Sequence, residues 1–389
     1  MSRIFVALAV LLLAGCAVQP PAPAPLRCPV CPVPKKAPPP AKPLQPATWD
    51  DLPGWGKEDL APVFADFLLS CDALEKRELW AQTCASARAL EQRDGPALSA
   101  WFEAQFRPWQ LINPDGGRDG LITGYYEPVL HGSRTRKPPY LYPVQGVPSD
   151  LIDVELGDLY PELKHMRLRG RIEGRRLVPY YSRAEWDRAR QNDDVLFWVD
   201  DAIDLFFMQI QGSGQIQLDD GSRVRVSYAD QNGHPYRSIG RWLIDHGQLK
   251  PGQVSMQSIK AWAKAHPKLQ QQMLDANPSM VFFHELPLTG EGPPGALGVA
   301  LSPGRSIAVD PKFTPLGAPV WLVTTYPDSE RPLSRLMLAQ DTGGAIRDPV
   351  RADFYWGSGN AAGDQAGKMH QKGKMWALLP RAYTPEQGE

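Results

Sequence analysis

The sequence predicts a mainly β protein with helices near the N-terminus and again at mid-chain. Three observations predict it. Apolar residues recur three or four apart from Asp59 to about Arg107, the spacing of one helix face. The same spacing returns from Ser238 to about Leu274. Beyond that, short apolar runs alternate with Gly and Pro, the pattern of a small barrel or sandwich.

Composition limits what the chain can be. Hydrophobic residues make up 43% and charged residues 22% of 389, so the chain can bury a core and is not disordered throughout. Lys plus Arg number 42 against 43 Asp plus Glu, a net charge of −1, which leaves no global field to draw the chain to nucleic acid. Proline is the outlier at 40 residues, about twice the usual share.

The elements follow in order. Arg3 precedes the apolar run Ile4 to Leu13, a charged and then hydrophobic pattern that reads as a signal peptide over 1–15 and is too short to span a membrane comfortably. Leu13-Ala14-Gly15-Cys16 resembles a bacterial lipobox, which implies cleavage before Cys16 and lipidation of that cysteine. Ala17, in place of Asp, favours the periplasmic face of the outer membrane in a Gram-negative cell. Export also argues against the cofactors of cytosolic metabolism. Pro20 to Pro46 holds 12 prolines, each of which removes an N–H and fixes φ, so 16–47 reads as an extended tether. Cys28 and Cys31 sit in that tether as an incidental pair or a small local disulfide, whereas Cys71 and Cys84 lie in adjacent helical patterns that an exported protein can bridge or leave free.

In the body, Leu60, Phe64, Phe67, Leu68, Cys71 and Leu74 form the first apolar stripe, and Leu98, Trp101, Phe102 and Phe106 repeat it. Leu121–Pro128, Val195–Trp198, Leu205–Ile210 and Val224–Tyr228 read as strands, with irregular chain between Tyr140 and Asp194. Ile239, Trp242, Leu243, Ile259, Trp262 and Ala263 mark the second helical stretch, which Asn277-Pro278 ends. Short strands are expected at Val281–His284, Leu297–Leu301, Ser306–Val309, Pro319–Val323, Leu336–Ala339 and Met375–Leu379.

The usual catalytic constellations are missing: no GxGxxG, P-loop, GxSxG or HExxH occurs, and His131, His165, His234, His246, His266, His284 and His370 are scattered. No metal or cofactor is expected. Three carboxylates stand out. Asp310 and Asp341 close apolar strands, and Asp341 precedes Thr342-Gly343-Gly344, a setting that also suits a turn former. Asp353 lies among aromatics, where desolvation would raise a carboxyl pKa towards the range a general acid needs.

Ala308-Val309-Asp310-Pro311, Ala339-Gln340-Asp341-Thr342-Gly343-Gly344-Ala345-Ile346 and Ala352-Asp353-Phe354-Tyr355-Trp356-Gly357 resemble the three-aspartate 3D domain. Thr123-Gly124-Tyr125-Tyr126-Glu127-Pro128, Gln209-Ile210-Gln211-Gly212-Ser213-Gly214, Asn232-Gly233-His234-Pro235-Tyr236-Arg237 and Asn277-Pro278-Ser279-Met280 are similar to the murein transglycosylase A family. The resemblance, from about Thr48 to about Leu379, implies a double-psi β-barrel domain made of 48–127 plus 285–389. A second β-rich domain, 128–284, is inserted, with a groove between the two. It implies a peptidoglycan lytic exotransglycosylase, a lyase that cuts the β-1,4 bond from N-acetylmuramic acid to N-acetylglucosamine and leaves 1,6-anhydromuramic ends. The residues themselves do not distinguish action at chain ends from action within chains. The family's catalytic aspartate maps onto Asp353 and its supporting one onto Asp341. The loop Arg347-Asp348-Pro349-Val350-Arg351 departs from the family pattern and reads as one residue longer.

One carboxyl group can serve this reaction by giving its proton to the leaving oxygen and then taking one from the sugar's own C6 hydroxyl, a nucleophile already in place. Candidates for holding the glycan strand are Tyr125, Tyr126 and Trp356 by stacking and Thr123, Gln209, Gln211 and Ser213 by hydrogen bonds. Gly212, Gly343 and Gly344 would allow close backbone approach. Strand alternation sends one of Tyr125 and Tyr126 inward. The expected partners are the glycan strand, the membrane through Cys16 and other cell-wall proteins, with the chain a monomer. A non-catalytic peptidoglycan-binding lipoprotein and a two-carboxylate hydrolase remain as other readings.

Overall fold

The computed structural model describes residues 40–385 except 164, 165, 191, 289 and 291. The expected signal peptide, Cys16, the Cys28/Cys31 pair and most of the tether lie outside the described residues.

Leu44–Pro46, expected to be the end of the tether, is instead a short strand β1 paired with Trp109–Leu111; three helices follow, α1 (Ala61–Leu74), α2 (Glu78–Ala89) and α3 (Gly95–Gln105). The apolar stripe is buried as its spacing requires: Phe64, Phe67, Cys71 and Leu74 are at most 1% exposed. A disulfide joins Cys71 of α1 to Cys84 of α2. The Asp94 carboxylate accepts from the Ala97 N–H at 2.9 Å and so starts α3. Phe106, read with the helical stripe, instead begins β2 (Phe106–Leu111), although it stays in the same core cluster.

The chain then runs through β3 (Gly120–Glu127), β4 (Val129–Ser133), β5 (Tyr142–Gln145), β6 (Ile152–Asp153), β7 (Arg169–Glu173), β8 (Arg176–Pro179) and α4 (Arg183–Ala189). The stretch expected to be irregular therefore carries part of a sheet, a small three-stranded sheet and a helix. Next are β9 (Val195–Val199), α5 (Ala202–Gln211), β10 (Ser213–Leu218), β11 (Arg223–Gln231), α6 (Ile239–Asp245), α7 (Met256–Ala265), α8 (Pro267–Asp275) and β12 (Val281–Leu286). The last part holds β13 (Ser306–Val309), β14 (Pro319–Thr325), β15 (Pro332–Asp341), β16 (Arg351–Ser358), α9 (Gly359–Lys368) and β17 (His370–Pro380).

Two strand expectations fail. Leu205–Ile210 is helical, inside α5, because Asp201 caps its first turn by accepting from Ile203 and Asp204 N–H groups and Gly212 ends it at φ 78°. Leu297–Leu301 forms no strand; only an isolated bridge between Pro294 and Ala300 marks that segment. β16 and α9 were not expected at all.

The large sheet has the order β1-β2-β17-β14-β15-β13-β16-β3, and β17 also pairs with β3. That extra pairing closes β17, β14, β15, β13, β16 and β3 into a six-stranded barrel, which leaves no open edge among those strands. α1–α3 pack against it in one apolar cluster that includes Ile122, Ile307, Val320, Leu338, Ala352 and Phe354. A second sheet, β12-β11-β10-β4-β9-β5, has its own core around Val144, Phe197, Ile216 and Val226. The chain leaves the barrel at Glu127 and enters the second sheet at Val129.

A buried ion pair stands at this crossing. Glu127, at the end of β3, is fully buried, as is Arg225 of β11. Arg225 donates from Nε at 2.6 Å and from Nη2 at 3.1 Å, and Gln215 of β10 donates at 2.7 Å, so both carboxylate oxygens are satisfied.

Candidate active site

β3 and β16 run parallel and in register, Asp353 beside Thr123 and Tyr355 beside Tyr125. Alternation then sorts their side chains. Ile122, Ala352 and Phe354 turn to the core, and Thr123, Tyr125, Arg351, Asp353 and Tyr355 share the other face. Of this second set, Tyr355 is buried beneath and the other four stay partly open. Asp341 comes to the same place from the end of β15, held by a hydrogen bond from the Tyr125 hydroxyl at 3.0 Å.

Asp353 is the most perturbed carboxyl group of this cluster. Burial pushes its pKa up to about 6, with the Asp341 charge adding to the rise, while the Thr123 hydrogen bond and the Arg351 charge oppose it. The Thr123 hydroxyl donates to Asp353 Oδ1 at 2.6 Å. Arg351 Nη2 in turn donates to Thr123 Oγ1 at 2.9 Å.

Asp341 has a different surrounding. Its Oδ1 accepts from the backbone N–H groups of Ala296 and Thr342 at 3.0 and 2.9 Å, and its Oδ2 accepts from Tyr125. Burial raises its pKa, and these three donors oppose the rise. The same burial, with Asp341 and Asp353 nearby, keeps the Tyr125 phenol protonated. The Tyr125 and Tyr355 rings lie 5.2 Å apart, and the Tyr355 hydroxyl is buried without a hydrogen-bond partner among the described residues.

The third aspartate is structural. Asp310 is 3% exposed and accepts from the N–H groups of Lys312 and Asp348, each at 3.2 Å. It thereby pins the 347–351 loop at Asp348, which has a positive φ of 90°. No cluster of three or more His, Cys, Asp or Glu suited to a metal ion occurs among the described residues.

The other expected site residues divide. Tyr126 is the tyrosine that turns inward; it packs on α9, and its hydroxyl contacts Met256 Sδ at 3.3 Å. Gln211 Oε1 accepts from the Tyr126 N–H at 3.1 Å, so this side chain ties α5 to β3. Gln209 is buried and accepts from Arg183 at 2.5 Å, and its side chain belongs to the packing of the second sheet region. Gly212 ends α5 with a left-handed φ, and Ser213, partly open, starts β10. Trp356 packs against Phe354, with ring centroids 4.7 Å apart, and donates to Met369 Sδ. A Cβ on Gly124 would lie 2.7 Å from Trp356 Nε1, so glycine there permits that packing. Gly343 is partly open and Gly344 exposed, with free space around the latter. Sequence reasoning missed Arg351 and the Ala296 N–H. Arg351 was findable, because it lies two residues before Asp353 and so on the same strand face.

Comparison with known proteins agrees with this architecture. Residues 121–284 match the MltA specific insert domain and residues 305–379 match the 3D domain. Membrane-bound lytic murein transglycosylase A of Escherichia coli (strain K12) is 34% identical over 277 residues, covering 69% of this chain and 68% of the relative. The protein of the same name from Vibrio cholerae is 30% identical over 311 residues and 76% of each chain. Among solved structures, MltA from Neisseria gonorrhoeae superposes with a TM-score of 0.79 at 37% identity, over 88% of this chain and 93% of that one. E. coli MltA with bound chitohexaose gives a TM-score of 0.64 at 29% identity, over 82% and 90%. The fold and site define an enzyme of the lytic transglycosylase class. The chain belongs to the membrane-bound lytic murein transglycosylase A family.

Proposed function

We propose that this chain cleaves the β-1,4 bond between N-acetylmuramic acid and N-acetylglucosamine in peptidoglycan and leaves 1,6-anhydromuramic ends. The observation that carries the reading is the Asp353 carboxyl on the partly open face of β16, one oxygen held by Thr123, with burial pushing its pKa up to about 6. Neutral Asp353 gives its proton to the glycosidic oxygen as the C1–O bond breaks. The carboxylate so formed takes the proton of the muramic C6 hydroxyl as its oxygen bonds to C1. Asp353 ends protonated, and no water is used.

Asp341 suits a second role. Donors from Tyr125, Ala296 and Thr342 favour its carboxylate form against the burial that raises its pKa, and as a carboxylate its charge can stabilise the positive charge developing at C1. Three accepted hydrogen bonds also weaken it as a base towards water, which favours the anhydro product over hydrolysis. Tyr125, Thr123 and the Gly343-Gly344 backbone lie on the open side and are the groups we assign to substrate contact. We assign the path of the glycan to a groove between the two sheets; the E. coli relative solved with bound chitohexaose supports a glycan strand as the ligand.

The relatives are named membrane-bound. Among the described residues no helix is long and apolar enough to cross a membrane. A lipid on Cys16 at the outer membrane, with the proline-rich residues ahead of β1 as tether, accounts for attachment. Asp353→Asn tests the assignment: release of soluble muropeptides should stop while binding to sacculi persists, and near-normal release by this variant would refute it.

A further inference from the structure

The 347–351 loop ends at Arg351, and this residue has a place in the site that the acid–base scheme above does not use. Its Nη1 donates to the carbonyls of Leu121 and Ala352 at 3.3 and 2.5 Å. These contacts fix the guanidinium on the β3–β16 seam and leave Nη2 aimed at Thr123 Oγ1 at 2.9 Å. Arginine carries donors only, and a threonine hydroxyl has a single proton. With Arg351 donating to Oγ1, that proton has Asp353 Oδ1, at 2.6 Å, as its acceptor.

We propose that Arg351 is a positioning residue for the acid: by donating to Thr123 it commits the threonine proton to Asp353 Oδ1 and so leaves the carboxylic proton on Oδ2. The inference rests on Asp353 being the acid. Without Arg351 the hydroxyl can turn and accept from Asp353 instead, and the carboxylic proton is then drawn to Oδ1, the oxygen turned to Thr123, where it has an acceptor. The relay costs nothing on return, because the ionised carboxylate accepts the same threonine proton.

The charge of Arg351 acts separately from its hydrogen bond. Among the described residues, the charged and titratable groups around Asp353 are Asp341 from β15, Tyr125 from β3, and Arg351 and Tyr355 on its own strand; Asp348 of the preceding loop acts on Arg351, and His370 of β17, opposite Thr123, is exposed. Arg351 is the cation among them, and it favours the ionised form of Asp353.

The test is the pH–rate profile of muropeptide release for Arg351→Met, Arg351→Lys, Thr123→Val and the Arg351→Met/Thr123→Val double variant, each first checked for a native-like melt. Arg351→Met should lower the low-pH plateau about tenfold and move the falling limb up by about half a pH unit. Arg351→Lys, which keeps the charge and a donor, should restore the limb and most of the plateau. In the Thr123→Val background, Arg351→Met should no longer change the plateau while still moving the limb. An unchanged profile in Arg351→Met overturns the proposal, as does a plateau loss of equal size with and without the threonine hydroxyl. If Arg351→Met does not fold, Arg351→Gln takes its place with the same expectations for the limb. An active Asp353→Asn would instead overturn the assignment of the acid, so the two failures are distinguishable.

Discussion

Thr123 and Asp353 stand side by side on parallel strands, and the threonine hydroxyl donates to the carboxyl at 2.6 Å. Residues 230 positions apart in sequence are thus joined at one rung of the barrel. The hydrogen bond favours the ionised carboxyl, against burial, which favours the neutral one. Thr123→Val keeps the shape and removes the donor. It should raise the apparent pKa of Asp353 and lower the rate by about tenfold, as read from initial rates of release across pH.

The rate of the unmodified enzyme should itself report Asp353. Since the acid must begin protonated and its pKa is about 6, release should be near its plateau below that pH and fall about tenfold per unit well above it. A profile flat to pH 8 would contradict this.

Burying a carboxyl group also costs stability once it ionises. The folded-state pKa of Asp353, about 6, lies above its ordinary value of 3.8. The folded protein therefore binds the proton more tightly than the unfolded chain. Stability from the neutral form is complete below pH 3.8 and is lost as pH rises towards and through 6. Asp353→Asn, neutral at every pH, should be more stable than the parent by about 2–3 kcal/mol at pH 8 and about equal to it near pH 4. Denaturant melts at the two pH values test this. Equal shifts at both would mean that the gain is not electrostatic.

Glu127 and Arg225 make the opposite trade. Both are buried and paired to each other, so removing one takes from the other its buried counter-charge. Glu127→Gln should destabilise the protein by about 3 kcal/mol. Because this pair joins the end of β3 to β11, the loss should also expose the β10–β11 hairpin to faster amide exchange. Protection unchanged there would argue that the pair is not what couples the two sheets.

Much of this was legible in the sequence. The helical stripe of Phe64, Phe67 and Cys71, and most barrel strands, follow from local periodicity. Leu205–Ile210 misled because a short apolar run broken only at Gln209 shows no helical period; its helix is declared at its ends, by Asp201 and Gly212. The closure of the barrel was not legible at all, since β17–β3 pairing links segments that share no local signal. In the site, Asp353, Asp341, Thr123 and Tyr125 converge as their motifs suggested. Gln209 and Tyr126 stand in the same motifs but face Arg183 and α9, because alternation and helix phase, not motif membership, decide which way a side chain points.

In the proposed mechanism the sugar's own hydroxyl, not water, completes the reaction at Asp353. The direct measurement is digestion of purified peptidoglycan by the intact protein, followed by mass spectrometry of the released muropeptides with and without borohydride reduction. The expected products carry 1,6-anhydromuramic ends, lighter than hydrolysed ones by one water (about 18 Da) and inert to reduction. Reducible muramic ends would contradict it.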